Sequence, residues 1–261
     1  MFWFKKKKII LDCFTSNAIA YEYFKPASAL KYQPNWYKEL PSSITVNDQG
    51  KDHNIESVKQ CIAVRSLFKN SFILPSWSTY RFDISDSIES SVQWFCSTKT
   101  NMLSHSTHQM EGFLENTNWN TLKLECPWYF KSNKFINYTW HDTVWHKKRL
   151  DGFFILPAVL DFSVNYFTNV NIIFSFDDKP KTIIIEAGDP LVMITPNTEE
   201  EVEIRNHLVS DQEMRRIDLG QVFNPDVLNN KPSSYTYYKK KKILEDKAIK
   251  SISKCPFGFK K

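Results

Sequence analysis

Apolar and polar residues alternate with a period of two through much of the chain. In "STYRFDIS", Tyr80, Phe82 and Ile84 alternate with Thr79, Arg81 and Asp83, the pattern of a strand with one buried face. "TLKLECPWYF" repeats it, with Leu122 and Leu124 on one side. Further strands are predicted at 60–64, 71–74, 90–98, 153–156 and 169–176, and residues 9–24 read as two short strands about the Thr15-Ser16-Asn17 turn. "KTIIIEAGDPLVMITPN" reads as a strand, a tight corner and a returning strand. Gly188 supplies the φ > 0 such a corner needs, and Asp189 is placed to cap backbone N–H groups. Pro190 opens the second strand, where its missing N–H costs little. The corner is therefore expected to be structural and to carry no catalytic group.

The period breaks in three places. Pro26, Pro34 and Pro41 bracket "KPASALKYQPNWYKELPSS", so a helix near Asn35–Leu40 must be short. With Trp36 and Leu40 one turn apart, this segment reads as a clip that packs an aromatic ring onto the body. Residues 43–56 are polar and predict a loop. From Thr198 the chain carries two capping boxes, "TEEE" and "SDQE", which predict two short helices with Ile204 and Leu208 one turn apart in the first. Many short strands followed by helices predict a mainly β, α+β chain. It would be a β-sandwich or distorted barrel of short antiparallel strands with C-terminal helices. Residues 1–197 form the β-rich body with its N-terminal clip, 198–228 a helical appendage and 229–261 a basic extended or helical tail.

Composition narrows the chemistry. The 261 residues are 42% hydrophobic and 15% aromatic, enough for a large core and wide flat contacts. Only 6 glycines occur, in neither a dinucleotide nor a P-loop pattern. The net charge of +5 is uneven, because Lys5–Lys8 and Lys239–Lys242 are unbroken runs; without those eight lysines, 29 acidic residues face 26 basic ones. The ends are thus basic and the body mildly acidic. Lys239, Lys240, Lys241 and Lys242 are the expected contact for nucleic acid or an acidic partner. The five cysteines are scattered without a CxxC pair, which points to reduced thiols. "MFWFKKKKIILDCF" does not read as a signal peptide, and no apolar run is long enough to span a membrane.

Catalytic motifs are sparse. No GxSxG elbow occurs, and Cys61, Cys96 and Cys126 sit in strand-like apolar runs where thiols are usually inert. The one opening for a divalent metal is "SHSTHQM", where His105 and His108 stand three apart, on one face if the segment is helical. A third ligand would come from Glu111, His141, Asp142 or His146; otherwise these are hydrogen-bonding histidines of a loop. "WHDTVWH" sets His141 and His146 between Trp140 and Trp145, either as a binding shelf or as packing on the sheet. No cofactor is otherwise implied.

Ordered blocks carry a resemblance. "YQPNWYKELP", "KQCIAVRSLFKNSFILPSWSTYRFDI", "HSTHQ" followed by "LKLECPWYF", and "AGDPLVMITP" followed by an expected charged helix stand in series over residues 9–240. Together they resemble an uncharacterised family of proteins from large tailed phages, notably of marine bacteria, and from some bacteria. The resemblance implies a virion or host-cytoplasm setting and brings no reaction. The segment from Leu160 to Ile194 is also similar to the last strands of dUTPase-like β-clip folds and of cupins. Asp161 and Tyr166 lack the dUTPase spacing, so only the cupin-type metal option through His105 and His108 survives from that similarity.

Two function classes follow. The first is a non-enzymatic, virion-associated structural or decorating protein. It would dock on other virion proteins or a second copy of itself through Trp36, Trp77, Trp128, Trp140, Trp145 and its basic ends. The second is a metal-dependent small-molecule enzyme built on His105 and His108.

Overall fold

The computed structural model describes residues 8–84, 92–98, 102–104, 112, 119–147, 152–163, 168–175 and 181–215. These residues form a mainly β, sandwich-like body with a few short helices.

β1 (Ile9–Thr15) alternates strictly, with Ile9, Leu11, Cys13 and Thr15 buried. It lies between β10 (Tyr129–Ser132), which runs antiparallel to it, and β17 (Val202–Leu208), which runs parallel. Residues 202–208 are therefore a strand and not the first helix that the "TEEE" box predicts. Their alternation of Val202 and Ile204 with Glu203 and Arg205 fits a strand equally well, and a partner strand supplies backbone hydrogen bonds that a short exposed helix lacks. Thr198 Oγ1 accepts instead from the Glu200 N–H in a local turn. The expected appendage thus gives its first part to the body. The second capping box is formed: Ser210 and Glu213 exchange side chain–backbone bonds at the start of a helical turn over residues 211–215.

After β1, Asn17 Oδ1 caps α1 (Ala18–Tyr23) by accepting from Ala20 N–H at 3.0 Å. The expected second strand is thus a helix started by its own turn residue. The chain then passes β2 (Ala27–Ser28), a 3-10 turn at Ala29–Tyr32 and α2 (Asn35–Glu39). β3 (Ser43–Asp48) and β4 (Lys51–Glu56) form a two-stranded hairpin where a loop was expected. A 3-10 turn at Val58–Gln60 leads into α3 (Ile62–Asn70), which replaces the strand expected at 60–64.

The remaining strands are β5 (Phe72–Pro75), β6 (Tyr80–Ile84), β7 (Val92–Cys96), β8 (Met102–Ser104), β9 (Trp119–Leu124), β11 (Tyr138–Asp142), β12 (Phe153–Ile155), β13 (Ala158–Leu160), β14 (Val170–Ser175), β15 (Lys181–Ile185) and β16 (Pro190–Pro196). They assemble into sheets ordered β13-β11-β16-β5-β2, β12-β14-β9-β8 and β15-β6-β7. One core joins these sheets and the β1 sheet. Aromatic rings fill much of it: Phe130 stacks on Phe162 at 5.0 Å, and Phe82 tilts against Phe174 at 4.8 Å.

β5 and β16 are apolar on both faces because both faces are covered. Phe72, Leu74, Val192 and Ile194 enter the main core, while Ile73 and Met193 enter a second, smaller one under the helices. Two corners carry the chain between the same two sheets: β5 passes to β6 through Ser76–Thr79, and β15 passes to β16 through Glu186–Asp189. The expected returning hairpin is therefore an arch, since β15 pairs with β6 and β16 with β5.

Candidate functional site

The smaller core supports a helical cap. In α3, Val64, Leu67 and Phe68 fall at i, i+3 and i+4 and turn inward onto Ala29, Tyr37, Ile73 and Met193. The opposite stripe of the same helix, Ile62, Arg65, Ser66 and Lys69 at i, i+3, i+4 and i+7, faces a groove of about 730 Å³ between α3, α2 and the turn before it.

Four cations line this groove: Lys38, Lys59, Arg65 and Lys69. None of its lining residues is a carboxylate. Lys59 is held in place, its Nζ donating to the carbonyls of Lys38 at 2.7 Å and Leu40 at 3.0 Å. That ammonium satisfies carbonyls at the C-terminal end of α2, where the helix dipole favours positive charge. Among the described residues, Lys38, Arg65 and Lys69 make no ion pair. The aliphatic part of the lining is unusually open, with Ile62 78% and Leu30 48% exposed.

Aromatic and histidine contacts brace the cap against the sheet. Trp36 stacks on Trp145 with centroids 6.1 Å apart, and its indole N–H donates to the Trp145 carbonyl at 3.1 Å. His146 Nε2 lies 2.7 Å from the Tyr32 carbonyl, and its ring meets Phe68 edge-on. His146 Nδ1 is buried without a partner. Burial holds the His146 imidazole below its ordinary pKa, as it does for His141.

The hairpin rises at the groove's rim. Ser57 N–H donates to the Ser42 carbonyl at 3.0 Å and Ser57 Oγ to the Pro41 carbonyl at 2.5 Å, tying its two ends together. Lys38 and Lys59, on either side of this root, both line the groove. The loop Gln49-Gly50 has φ of +50° and +79°, the two positive values of a type I′ turn. Pairing puts Ile44 opposite Ile55, Val46 opposite His53 and Asp48 opposite Lys51 on one face. The other face is a polar ladder, with Thr45 bonded to Asn54 and Asn47 to Asp52. The apolar face is uncovered: Val46 is 40% and Ile55 50% exposed.

The structure places the sequence-predicted residues unevenly. Trp77, Trp128 and Trp140 are 4%, 0% and 2% exposed, so they are core side chains and present no ring to a partner. Of the five predicted contact tryptophans only Trp36, 45% exposed, and the half-buried Trp145 reach the surface, and they stack on each other. His105, His108, Glu111 and Lys239–Lys242 lie outside the described residues. Among the described residues no group of three or more His, Cys, Asp or Glu is placed to hold a metal. His141 spends its nitrogens on Thr195 Oγ1 and the Asp142 carbonyl, each at 3.0 Å. Ser71 completes a Ser71–Thr195–His141 chain but is 1% exposed, which shuts it off from any substrate.

At the corner, Gly188 has φ +92° and Asp189 Oδ2 accepts from the Glu186 N–H at 3.0 Å. The four groove cations were not singled out by sequence, because they are dispersed over 32 positions of chain rather than clustered in a run. The helical period of α3, which sets Arg65 and Lys69 one turn apart, is a signal for those two; Lys38 and Lys59 join them only in the fold.

The chain matches no model of a known protein family and no curated protein.

Proposed function

We propose that this chain is a non-enzymatic docking protein, and that it serves as a virion-associated component of a tailed phage. The observation that carries the docking role is the β3–β4 hairpin. A two-stranded ribbon standing alone in water is marginally stable at best. This one holds an aliphatic row, Ile44, Val46 and Ile55, away from the body's own core. Such a row gains its burial from another surface, either another protein of the assembly or a second copy of the chain. The stacked Trp36–Trp145 pair and the cationic groove belong to the cap from which this ribbon springs, so one side of the molecule concentrates the contacts. The phage setting rests on the resemblance of the ordered sequence blocks. No helix among the described residues is long and apolar enough to cross a membrane.

The test uses purified virions and an Ile44→Ser, Val46→Ser, Ile55→Ser variant. The wild-type chain should be found in virions at fixed copy number by mass spectrometry. The variant should keep its circular dichroism and main thermal transition yet fail to incorporate. Absence of the wild-type chain from virions would overturn the setting, and undiminished incorporation of the variant would overturn the docking role.

A further inference from the structure

We infer that the cap groove binds an acidic, aliphatic-bearing segment of a partner protein; this rests on the docking role proposed above and names the chemistry that the partner brings. The groove's walls state two requirements at once. Lys38, Arg65 and Lys69 require negative charge, since they share one concavity with Lys59 and no carboxylate. Ile62 and Leu30 require apolar contact, being large aliphatic side chains left mostly or half in water at the same site.

The geometry of α3 sets the spacing of the ligand's charges. Arg65 and Lys69 are four residues apart, about 6 Å along the helix axis. Residues i and i+2 of an extended strand share one face at about 6.6 Å. Two carboxylates alternating with other residues therefore reach Arg65 and Lys69 together. An aliphatic side chain at the preceding same-face position falls toward Ile62, one turn nearer the start of α3. Arg65 can take its carboxylate with two parallel N–H bonds, which gives orientation as well as charge. A groove of about 730 Å³ is far larger than a single inorganic anion, so a polymer segment fits it better than an ion.

A nucleic acid satisfies only half of this. Single-stranded nucleic acid pairs a cationic track with exposed rings on which bases stack. The ring in the groove lining, Tyr37, is 3% exposed and packed against Phe68 at 5.0 Å. A sugar-phosphate chain would leave Ile62 and Leu30 wet, whereas leucine, isoleucine or valine side chains would cover them.

The experiment titrates the full chain into a fluorescently labelled Glu–Leu peptide of repeat Leu-Ser-Glu-Ser-Glu-Ser, which in an extended strand sets a leucine and two glutamates on one face in that order. A lysine–leucine peptide and a labelled oligothymidylate serve as comparisons, read by anisotropy at two salt concentrations. The Glu–Leu peptide should bind and weaken with salt, roughly tenfold or more on Arg65→Glu with Lys69→Glu. Ile62→Ser should weaken the Glu–Leu peptide about threefold to tenfold and leave any oligothymidylate binding unchanged. The lysine–leucine peptide should not bind. Tighter binding of oligothymidylate than of peptide, or a peptide affinity indifferent to Arg65, Lys69 and Ile62, would overturn the inference. The same groove variants are then scored for incorporation beside the hairpin variant. If groove variants incorporate normally while the hairpin variant does not, the inference fails and the docking role stands. If all incorporate normally, the docking role itself fails.

Discussion

The Ser76 carbonyl accepts a hydrogen bond from the Gly188 N–H at 2.8 Å, while the Ser76 N–H donates to the Asp189 carbonyl at 2.8 Å. This reciprocal pair locks together the two corners by which the chain crosses from the five-stranded sheet to the three-stranded one. Thr79 adds a second tie, donating to Glu186 and accepting from the Ala187 N–H. The crossing is thus a bent two-stranded ribbon whose two corners are tied backbone to backbone at Ser76 and through a side chain at Thr79.

Gly188 is required there for its backbone and not for space. Its φ of +92° is costly for any L-residue, while an added Cβ would meet Phe24 at an ordinary 3.9 Å. Gly188→Ala should therefore cost about 1–2 kcal/mol, read by denaturant unfolding. Gly188→Asn should cost less, because asparagine tolerates the left-handed region. Equal losses for Ala and Asn would point to sterics and contradict this account.

The hairpin tip offers a stabilising change. Gln49 takes φ +50° in a type I′ turn, a place that asparagine fills better, and Gly50 already suits the second position. Gln49→Asn should slow amide exchange across β3 and β4, with a gain of about 0.5–1 kcal/mol confined to the hairpin. Global unfolding should not change, because the ribbon lies outside both cores. A shift of the main transition would mean that the hairpin is packed on the body.

Legibility followed the number of partners each segment meets. β6 was readable because one alternating face decides its fate, and β14 and β15 as short apolar runs rich in isoleucine. β5 and β16 were readable as continuous apolar runs, the mark of strands covered on both sides. α3 was misread as a strand although Val64, Leu67 and Phe68 carry the helical period; the apolar run "CIAV" is short enough to suit either element. β17 was misread as a helix because its alternation and its capping box support different elements, and the deciding fact is a partner strand, β1, near the other end of the described chain. The hairpin was hidden by polarity, since most of its side chains are exposed. The groove was hidden altogether, because it exists only once α2, α3 and the turn before α2 are brought together. The Trp residues were overread as surface for the opposite reason: aromatic excess does not separate a core from a docking face.

The near-buried pair Asp142–Lys147 staples β11 to β12. Lys147 Nζ lies 2.7 Å from Asp142 Oδ2, donates also to the Phe153 carbonyl, and sits 4.2 Å above the Phe153 ring. Asp142 Oδ2 additionally accepts from the Ile155 N–H, while Oδ1 is buried without a partner. Desolvation holds the Lys147 ammonium below its ordinary pKa despite the attraction of Asp142. Removing one charge strands the other. Lys147→Met should cost about 3–5 kcal/mol, and adding Asp142→Asn, which keeps an acceptor for Ile155, should recover a substantial part. A double variant whose loss equals the sum of the Lys147→Met and Asp142→Asn losses would show that the pair is not coupled.

Acid should loosen the cap before the sandwich. Burial lowers the folded-state pKa of His141 and His146 below the ordinary imidazole value of 6.5. In the window just below 6.5 the unfolded chain therefore binds more protons than the folded one, so stability rises with pH there and is lost as pH falls through the folded values. His146 gives this a structural site. Its Nε2–H donates to the Tyr32 carbonyl, so a proton added at Nδ1 enters a buried position with no acceptor. Tyr32 ends the turn that leads into α2, which makes the cap the part that yields. The thermal midpoint should thus fall between about pH 7 and pH 5, with Trp36–Trp145 fluorescence changing ahead of the sheet's circular dichroism. His146→Gln keeps a donor toward Tyr32 and cannot titrate, so it should flatten this dependence. An unchanged pH profile in that variant would move the acid-sensitive site to His141, whose ring links β11 to Thr195 on β16.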